Sequence, residues 1–305
     1  MELRVINLSK RYGNQRILRD VEFAFSSGSV VCICGSAGSG KSTLLKLLAS
    51  IEKPNSGSLE GLSAGDISFP DGKKGGVFGL FSSSGTSAFE KIEKALGSPN
   101  SIVILDEPFA GMDVETQRRS GMKMRRFAES GKTVVFAAAD FRHACEAADL
   151  VVMIDRGTVC QTGTPKEVYD EPATAAVARL TGPINLIEAR RLTSSNADVP
   201  EFHSVTGGHR IFAKPVSKAR LGAINQNILL GIRPEDVVIA MNASFPEDNV
   251  IRACVTGIRF DRETSLVDFD ADGLSLTARV FKVVGLSVGD ECLLGLPPDR
   301  VNVLL

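Results

Sequence analysis

Gly35-Ser36-Ala37-Gly38-Ser39-Gly40-Lys41-Ser42-Thr43 matches the pattern G-x-x-x-x-G-K-[ST] of a phosphate-binding loop. Ahead of it, Ser29 to Cys34 is a short apolar, β-branched run that reads as a buried strand. Behind it, Leu44, Leu45, Leu47 and Leu48 recur at helical spacing. Strand, glycine loop and helix is the setting the motif requires. Gly35, Gly38 and Gly40 let the backbone curl so that successive N–H groups, those of Ser36, Ala37, Ser39 and Thr43 among them, point inward at a polyphosphate. The helix opening near Lys41 adds the positive end of its dipole. Lys41 is placed to reach the β and γ phosphates, and Ser42 to hold Mg²⁺ through its hydroxyl.

Further along, Ile102-Val-Ile-Leu-Asp106-Glu107-Pro108 reads as a buried parallel strand that delivers two acids to its C-terminal edge, where doubly wound sheets bind their ligands. Asp106 is expected to orient Mg²⁺, and Glu107 to polarise an attacking water as general base. Taken alone, the pair fits a helix that starts at Asp106 with acids in its first turn. With the glycine loop upstream, the nucleotide reading is preferred.

Composition narrows the class. With 35 basic and 36 acidic residues the net charge is −1, so no global pull toward nucleic acid or anionic lipid is expected. The apolar fraction of 43 % is ordinary for a globular chain, and no apolar run is long enough to span a bilayer. Met1-Glu2-Leu3-Arg4 leads straight into alternating apolar residues without a signal peptide, so a cytoplasmic protein is expected. Cys32 and Cys34 share a face of one strand, but no second pair follows at ligand spacing, and they read as small buried apolar residues. His143, His203 and His209 are scattered and suggest no site.

At 305 residues, two domains are expected. Strands over Glu2–Tyr12 and Ile17–Phe25 precede the loop, and helices and strands then alternate. Thr164, Pro165 and Glu167 mark a capped helix start. The alternation stops near Gly182-Pro183. Beyond it short strands follow one another, as in a small barrel or sandwich. The expected domains are therefore 1–182 and 183–305.

These motifs together resemble the ATP-binding subunit of an ABC transporter, closest to the importer subclass that handles spermidine/putrescine, iron and sugars. The resemblance covers nearly the whole chain. Tyr12, in Leu8-Ser-Lys-Arg-Tyr-Gly13, is similar to the aromatic residue that stacks on adenine. Gly35 to Thr43 resembles the Walker A loop, and Ile102 to Pro108 the Walker B strand. Phe109-Ala-Gly-Met-Asp113 resembles the D-loop, and Gly163 to Tyr169 the segment that closes the ATPase domain. Gly231-Ile-Arg-Pro-Glu-Asp236 looks like the signature of a TOBE-type domain. The resemblance implies an α/β P-loop NTPase core, with a mostly parallel sheet flanked by helices and an antiparallel β subdomain, joined to a C-terminal all-β, OB-like domain. It implies ATP and Mg²⁺ as ligands and membrane permease subunits as partners. It further implies a homo- or heterodimer of ATPase subunits, peripheral at the inner face of the membrane, and no nucleic acid. The β-domain is expected to bind an oxyanion or small metabolite or to form the dimer contact, and the dimer contact is preferred.

Departures from the family pattern are also visible. Gly79 stands where the family has a glutamine, and the helical subdomain expected next has no room between Phe78 and Ser82. The signature Leu-Ser-Gly-Gly-Gln aligns with Ser82-Ser83-Ser84-Gly85-Thr86. Ala139 replaces the switch histidine, which is expected to release Glu107 and remove a donor to the γ-phosphate. Two readings follow. One is an importer ATPase subunit; the other is a hydrolysis-deficient accessory protein that pairs with a complete ATPase subunit. A P-loop kinase or GTPase is disfavoured, since no Asn-Lys-x-Asp motif is present.

Overall fold

The computed structural model describes residues 2–61, 67–68, 88–192, 198–218, 221, 223–240, 249–283 and 285–304. Phe78, Gly79 and the Ser82 to Thr86 segment lie outside them. The chain divides into two units, Met1–Tyr169 and Asp170–Leu305.

The first unit contains β1 (Glu2–Tyr12), β2 (Gln15–Ser26), β3 (Val30–Cys34), α1 (Lys41–Leu48), β4 (Ser56–Glu60), β5 (Ile67–Ser68), α2 (Ala88–Leu96), β6 (Ile102–Asp106), α3 (Val114–Glu129), β7 (Thr133–Ala138), α4 (Phe141–Ala147), β8 (Leu150–Asp155), β9 (Thr158–Gly163) and α5 (Pro165–Asp170), whose last residue begins the second unit. The central sheet has the order β5-β6-β7-β3-β8-β9, parallel except for β9. Every residue of β3 and β7 is buried. A parallel strand covered on both faces needs such unbroken apolar runs. A second, antiparallel sheet has the order β2-β1-β4. Its Leu3, Val5, Val21, Phe23 and Phe25 form one core with Leu44, Leu45, Leu47 and Leu48 of α1 and with Val31, Ile33, Ile104 and Val135 of the central sheet. Thus α1 is clasped between two sheets, and its leucines are buried all round.

Strand β4 has no alternating apolar pattern to announce it. It carries only one partly buried apolar side chain, Leu59, and Gly57 takes a left-handed φ of 84°. A Cβ at Gly57 would lie 2.4 Å from the carbonyl oxygens of both Ile6 and Asn7. The strand exists because backbone approaches backbone there, not because side chains alternate.

The second unit contains α6 (Ala175–Thr181), β10 (Asn185–Arg190), β11 (Glu201–Ser204), β12 (Arg210–Phe212), β13 (Asn227–Ile232), β14 (Val238–Ala240), β15 (Asn249–Asp261), β16 (Thr264–Ala271), β17 (Leu274–Val280), β18 (Glu291–Leu296) and β19 (Asn302–Leu304). They form two antiparallel five-stranded sheets, β12-β11-β10-β13-β19 and β14-β18-β15-β16-β17, around one core that includes Ile187, Phe202, Leu230, Val267, Phe269 and Leu294. Two asparagines bridge the sheets. Asn249 accepts from Phe212 N–H at 2.6 Å and donates to the carbonyls of Phe212 and Leu296. Asn185 exchanges two bonds with the backbone of Thr277, at 2.7 and 2.8 Å.

The unit division falls ahead of Gly182-Pro183, where the sequence pattern changes, because α6 is tied into the β-rich part by Arg233. The residue is 3 % exposed, and its guanidinium donates to the carbonyls of Ala178, Gly182 and Pro183 at 3.0 to 3.2 Å and to Thr181 Oγ1 at 2.6 Å. One side chain thereby satisfies the otherwise orphaned carbonyls at the end of α6. Arg233→Ala should cost about 2–4 kcal/mol of unfolding free energy, because buried acceptors lose charge-assisted donors. A urea titration followed by far-UV circular dichroism checks it; an unchanged midpoint would refute the clamp.

Candidate functional site

The strand order brings the site together. β7 separates β3 from β6, with Cys34 opposite Ala138 and Asp106 opposite Ala137. The loop after β3 and the acids at the end of β6 therefore share one edge of the sheet. Gly35 has no room for a side chain, since a Cβ would sit 2.2 Å from Ile154 O. Gly40, at φ 107°, turns the chain into α1, and a Cβ there would meet Leu18 Cδ2 at 2.7 Å. The first turn of α1 contains no acid, so its free N–H groups face the loop uncompensated.

Lys41 is 7 % exposed. Its Nζ donates to Gly35 O at 2.8 Å and Ser36 O at 3.0 Å, and lies 3.7 Å from Glu107 Oε1. Asp106 is half-buried, and its Oδ1 is shut off from solvent with no hydrogen-bond partner. Burial pushes its carboxyl above the usual range, against the Ser42 hydrogen bond and the charges of Lys41 and Lys46. Glu107 follows at a left-handed φ of 47°. Its backbone N–H donates to Ala137 O at 3.1 Å, and its Oε2 accepts from the backbone N–H of Ala139 at 3.1 Å. The expectation that loss of the histidine releases Glu107 is corrected here. The main-chain amide at position 139 holds the carboxylate, and an amide needs no particular side chain.

Tyr12 closes β1. Its Oη donates to Glu52 Oε2 at 2.5 Å, and the residue is exposed. In the Phe109 to Asp113 segment, Phe109 is fully buried against Phe136 and His143. Asp113 caps α3 by accepting from Thr116 N–H and Oγ1, at 2.9 and 2.6 Å. Cys32 and Cys34 are buried, and burial pushes the Cys32 thiol well up. Thus the structure brings together Lys41, Ser42, Asp106 and Glu107, with the Tyr12 hydroxyl between Thr43 in the first turn of α1 and Glu52 beyond its last. Sequence reasoning missed two contributors, the Ala139 amide and Glu52. A backbone donor leaves no mark in residue identity, and Glu52 reads as one more charge in a turn.

The profile of the family described as "ABC transporter" matches residues 18–75. The chain is similar to the sulfate/thiosulfate import ATP-binding protein CysA of Synechococcus elongatus, 30 % identical over 237 residues that cover 61 % of this chain and 69 % of that protein. It is similar also to the same-named protein of Thermosynechococcus vestitus, 29 % identical over 242 residues, 62 % of this chain and 72 % of that one. A spermidine/putrescine import ATP-binding protein, PotA of Haemophilus influenzae, matches at 25 % identity over 92 % of this chain and 88 % of its own length. A glycine loop that buries its lysine beside a strand-end acid pair, on a chain with these relatives, leaves one assignment: the protein belongs to the family of ABC transporter ATP-binding subunits.

Proposed function

We propose that this chain is the ATPase subunit of an ABC-type importer, binding Mg·ATP at Gly35 to Thr43 and Asp106 and using Glu107 as the base that polarises water. What carries this reading is the meeting of Lys41, Ser42, Asp106 and Glu107 at the end of β6. Relatives named as sulfate/thiosulfate and spermidine/putrescine import ATP-binding proteins support import as the process, and they do not favour the accessory alternative. The two names differ in solute, so neither solute is assigned. Among the described residues no helix is long and apolar enough to cross a membrane. Membrane permease subunits are the proposed partners, at the inner face of the membrane, with a second ATP-binding subunit completing a homo- or heterodimer.

The chemistry follows from the side chains. A polyphosphate offers Lys41 stronger, charge-assisted bonds than the carbonyls of Gly35 and Ser36. The loop amides and the start of α1 complement its negative charge. Tyr12 is the proposed base contact. The residues fit Mg²⁺: Asp106 Oδ1 is a buried hard oxygen without a partner, beside the Ser42 hydroxyl. One or two protein oxygens plus phosphates is what this ion takes. Bound there, it neutralises phosphate charge. Glu107 accepts the proton of the attacking water at a carboxylate oxygen, which the Ala139 amide and the Lys41 ammonium hold in place.

Lys41→Ala should abolish binding of a fluorescent ATP analogue, whereas Glu107→Gln should keep binding and lower turnover by about 10²–10⁴-fold. Coupled phosphate-release assays alongside binding titrations separate the two, and retained binding in Lys41→Ala would overturn the assignment. Asp106→Asn should remove the Mg²⁺ dependence of binding and yet raise the melting temperature of the nucleotide-free protein at neutral pH. Burial lifts the Asp106 pKa above its unfolded value, so the fold disfavours the ionised form. That penalty is full above the folded pKa, shrinks as pH falls from there toward the lower unfolded pKa, and is gone below it. The Asn variant's advantage should therefore fade in acid; melting curves against pH report it.

A further inference from the structure

Glu52 stands outside the phosphate loop and the strand-end acids, yet Tyr12, Lys10 and Lys46 all converge on it. The chain leaves α1 through Ser50, at a left-handed φ of 55°. The backbone N–H groups of Ile51 and Glu52 both donate to Lys46 O, at 2.9 and 3.3 Å. Glu52 is thereby fixed to the far end of the helix whose first turn carries Lys41 and Ser42. Its Oε2 accepts from Tyr12 Oη at 2.5 Å and lies 3.1 Å from Lys10 Nζ. Its Oε1 faces Lys46 Nζ at 3.5 Å. Burial pushes the Glu52 carboxyl up, but the bonds from Tyr12 and Lys10 and the charges of Lys10 and Lys46 outweigh it and leave the group below its usual range. Burial and the Glu52 bond push the Tyr12 phenol up, with Thr43 of the loop acting the other way. The acceptor is therefore charged and the donor neutral, the pairing that makes a strong hydrogen bond.

This network fixes a ring that is otherwise free to turn. Tyr12 ends a strand and is 44 % exposed as a residue. Oη is pinned by Glu52, and Lys10 Nζ lies over the ring at 5.2 Å from its centroid, itself anchored to Lys53 O at 2.8 Å. An open aromatic plane held at its tip, next to Thr43, is preorganised to stack a planar base. We propose that Glu52 is a positioning residue for the base end of the nucleotide: without touching the ligand, it holds Tyr12 in the stacking plane and ties that plane to the helix that starts at the phosphates. The inference rests on the reading above in which Tyr12 meets the base.

The test compares two ligands, Mg·ATP and Mg·tripolyphosphate, which lacks a base, by titration calorimetry on the full chain. Tyr12→Ala should weaken ATP binding about tenfold, the scale of one base–aromatic stack. Glu52→Ala and Tyr12→Phe, which break the same bond from opposite sides, should each weaken ATP binding by about three- to tenfold. Tripolyphosphate affinity should stay unchanged, and the double variant should be no weaker than Tyr12→Phe alone. Glu52→Gln retains an amide oxygen for Tyr12 Oη and should recover most of the ATP affinity. If Glu52→Ala weakens both ligands equally, Glu52 merely supports the fold and the inference is overturned. It is overturned as well if Tyr12→Ala lowers ATP affinity while Glu52→Ala and Tyr12→Phe do not. If Tyr12→Ala itself leaves ATP affinity unchanged, the base-contact reading fails, and the inference falls with it. Should Glu52→Ala not fold, Tyr12→Phe decides alone, since it leaves Glu52 with both lysines.

Discussion

The ammonium of Lys41 is nearly closed off from water, and a charge so placed survives only with partners. Its partners are the carbonyls of Gly35 and Ser36 and the carboxylate of Glu107. Each exists for a reason elsewhere in the chain. The carbonyls point inward because the backbone turns at Gly40 and passes too close to Ile154 at Gly35 to carry a side chain. The carboxylate is within reach because one strand alone, β7, separates β6 from β3. Moving Gly40 out of its left-handed conformation, or interposing another strand, would leave the lysine buried and unpaired. The site is in this sense a solution to burying one cation, and a polyphosphate would find that solution already built.

What could be read from the sequence was whatever repeats locally. The parallel strands β3, β6, β7 and β8 show as apolar runs because both of their faces are covered. The helix after Gly163 shows because Thr164 and Glu167 exchange bonds at fixed spacing, at 2.8 and 3.2 Å. Strand β4 does not show, because it is held by backbone contact with β1 at Gly57 rather than by alternating side chains. Strand β11 has only Phe202 and Ser204 facing inward over four residues, too short a run to stand out from a loop. The Ala139 amide and the Tyr12–Glu52 bond are long-range pairings, and nothing at either end announces the other.

The second unit follows the same logic with different chemistry. The two bridging asparagines use side-chain amides where a backbone ladder cannot cross from one sheet to the other. Arg233 does for the end of α6 what Lys41 does in the glycine loop: a buried cation collects carbonyls that would otherwise be orphaned. The fork of a guanidinium suits several acceptors around a helix end, whereas a single ammonium suits a loop that must also release it. That distinction explains why the motif Gly231 to Asp236 carries an arginine and the phosphate loop a lysine.

Asp106 and Glu107 are neighbours, and in a regular strand neighbours point to opposite faces. Both nevertheless reach the first turn of α1, Asp106 at Ser42 and Glu107 at Lys41. The left-handed φ of Glu107 breaks the alternation at that point. For a residue with a side chain such a conformation costs about 1–3 kcal/mol, and it persists where the backbone bond to Ala137 and the Ala139 amide hold it. The two acids then meet unlike surroundings. Asp106 keeps one buried oxygen without a hydrogen-bond donor. Glu107 has an amide on one oxygen and an ammonium near the other. Two carboxylates of nearly equal intrinsic acidity are thereby given different surroundings by one turned peptide.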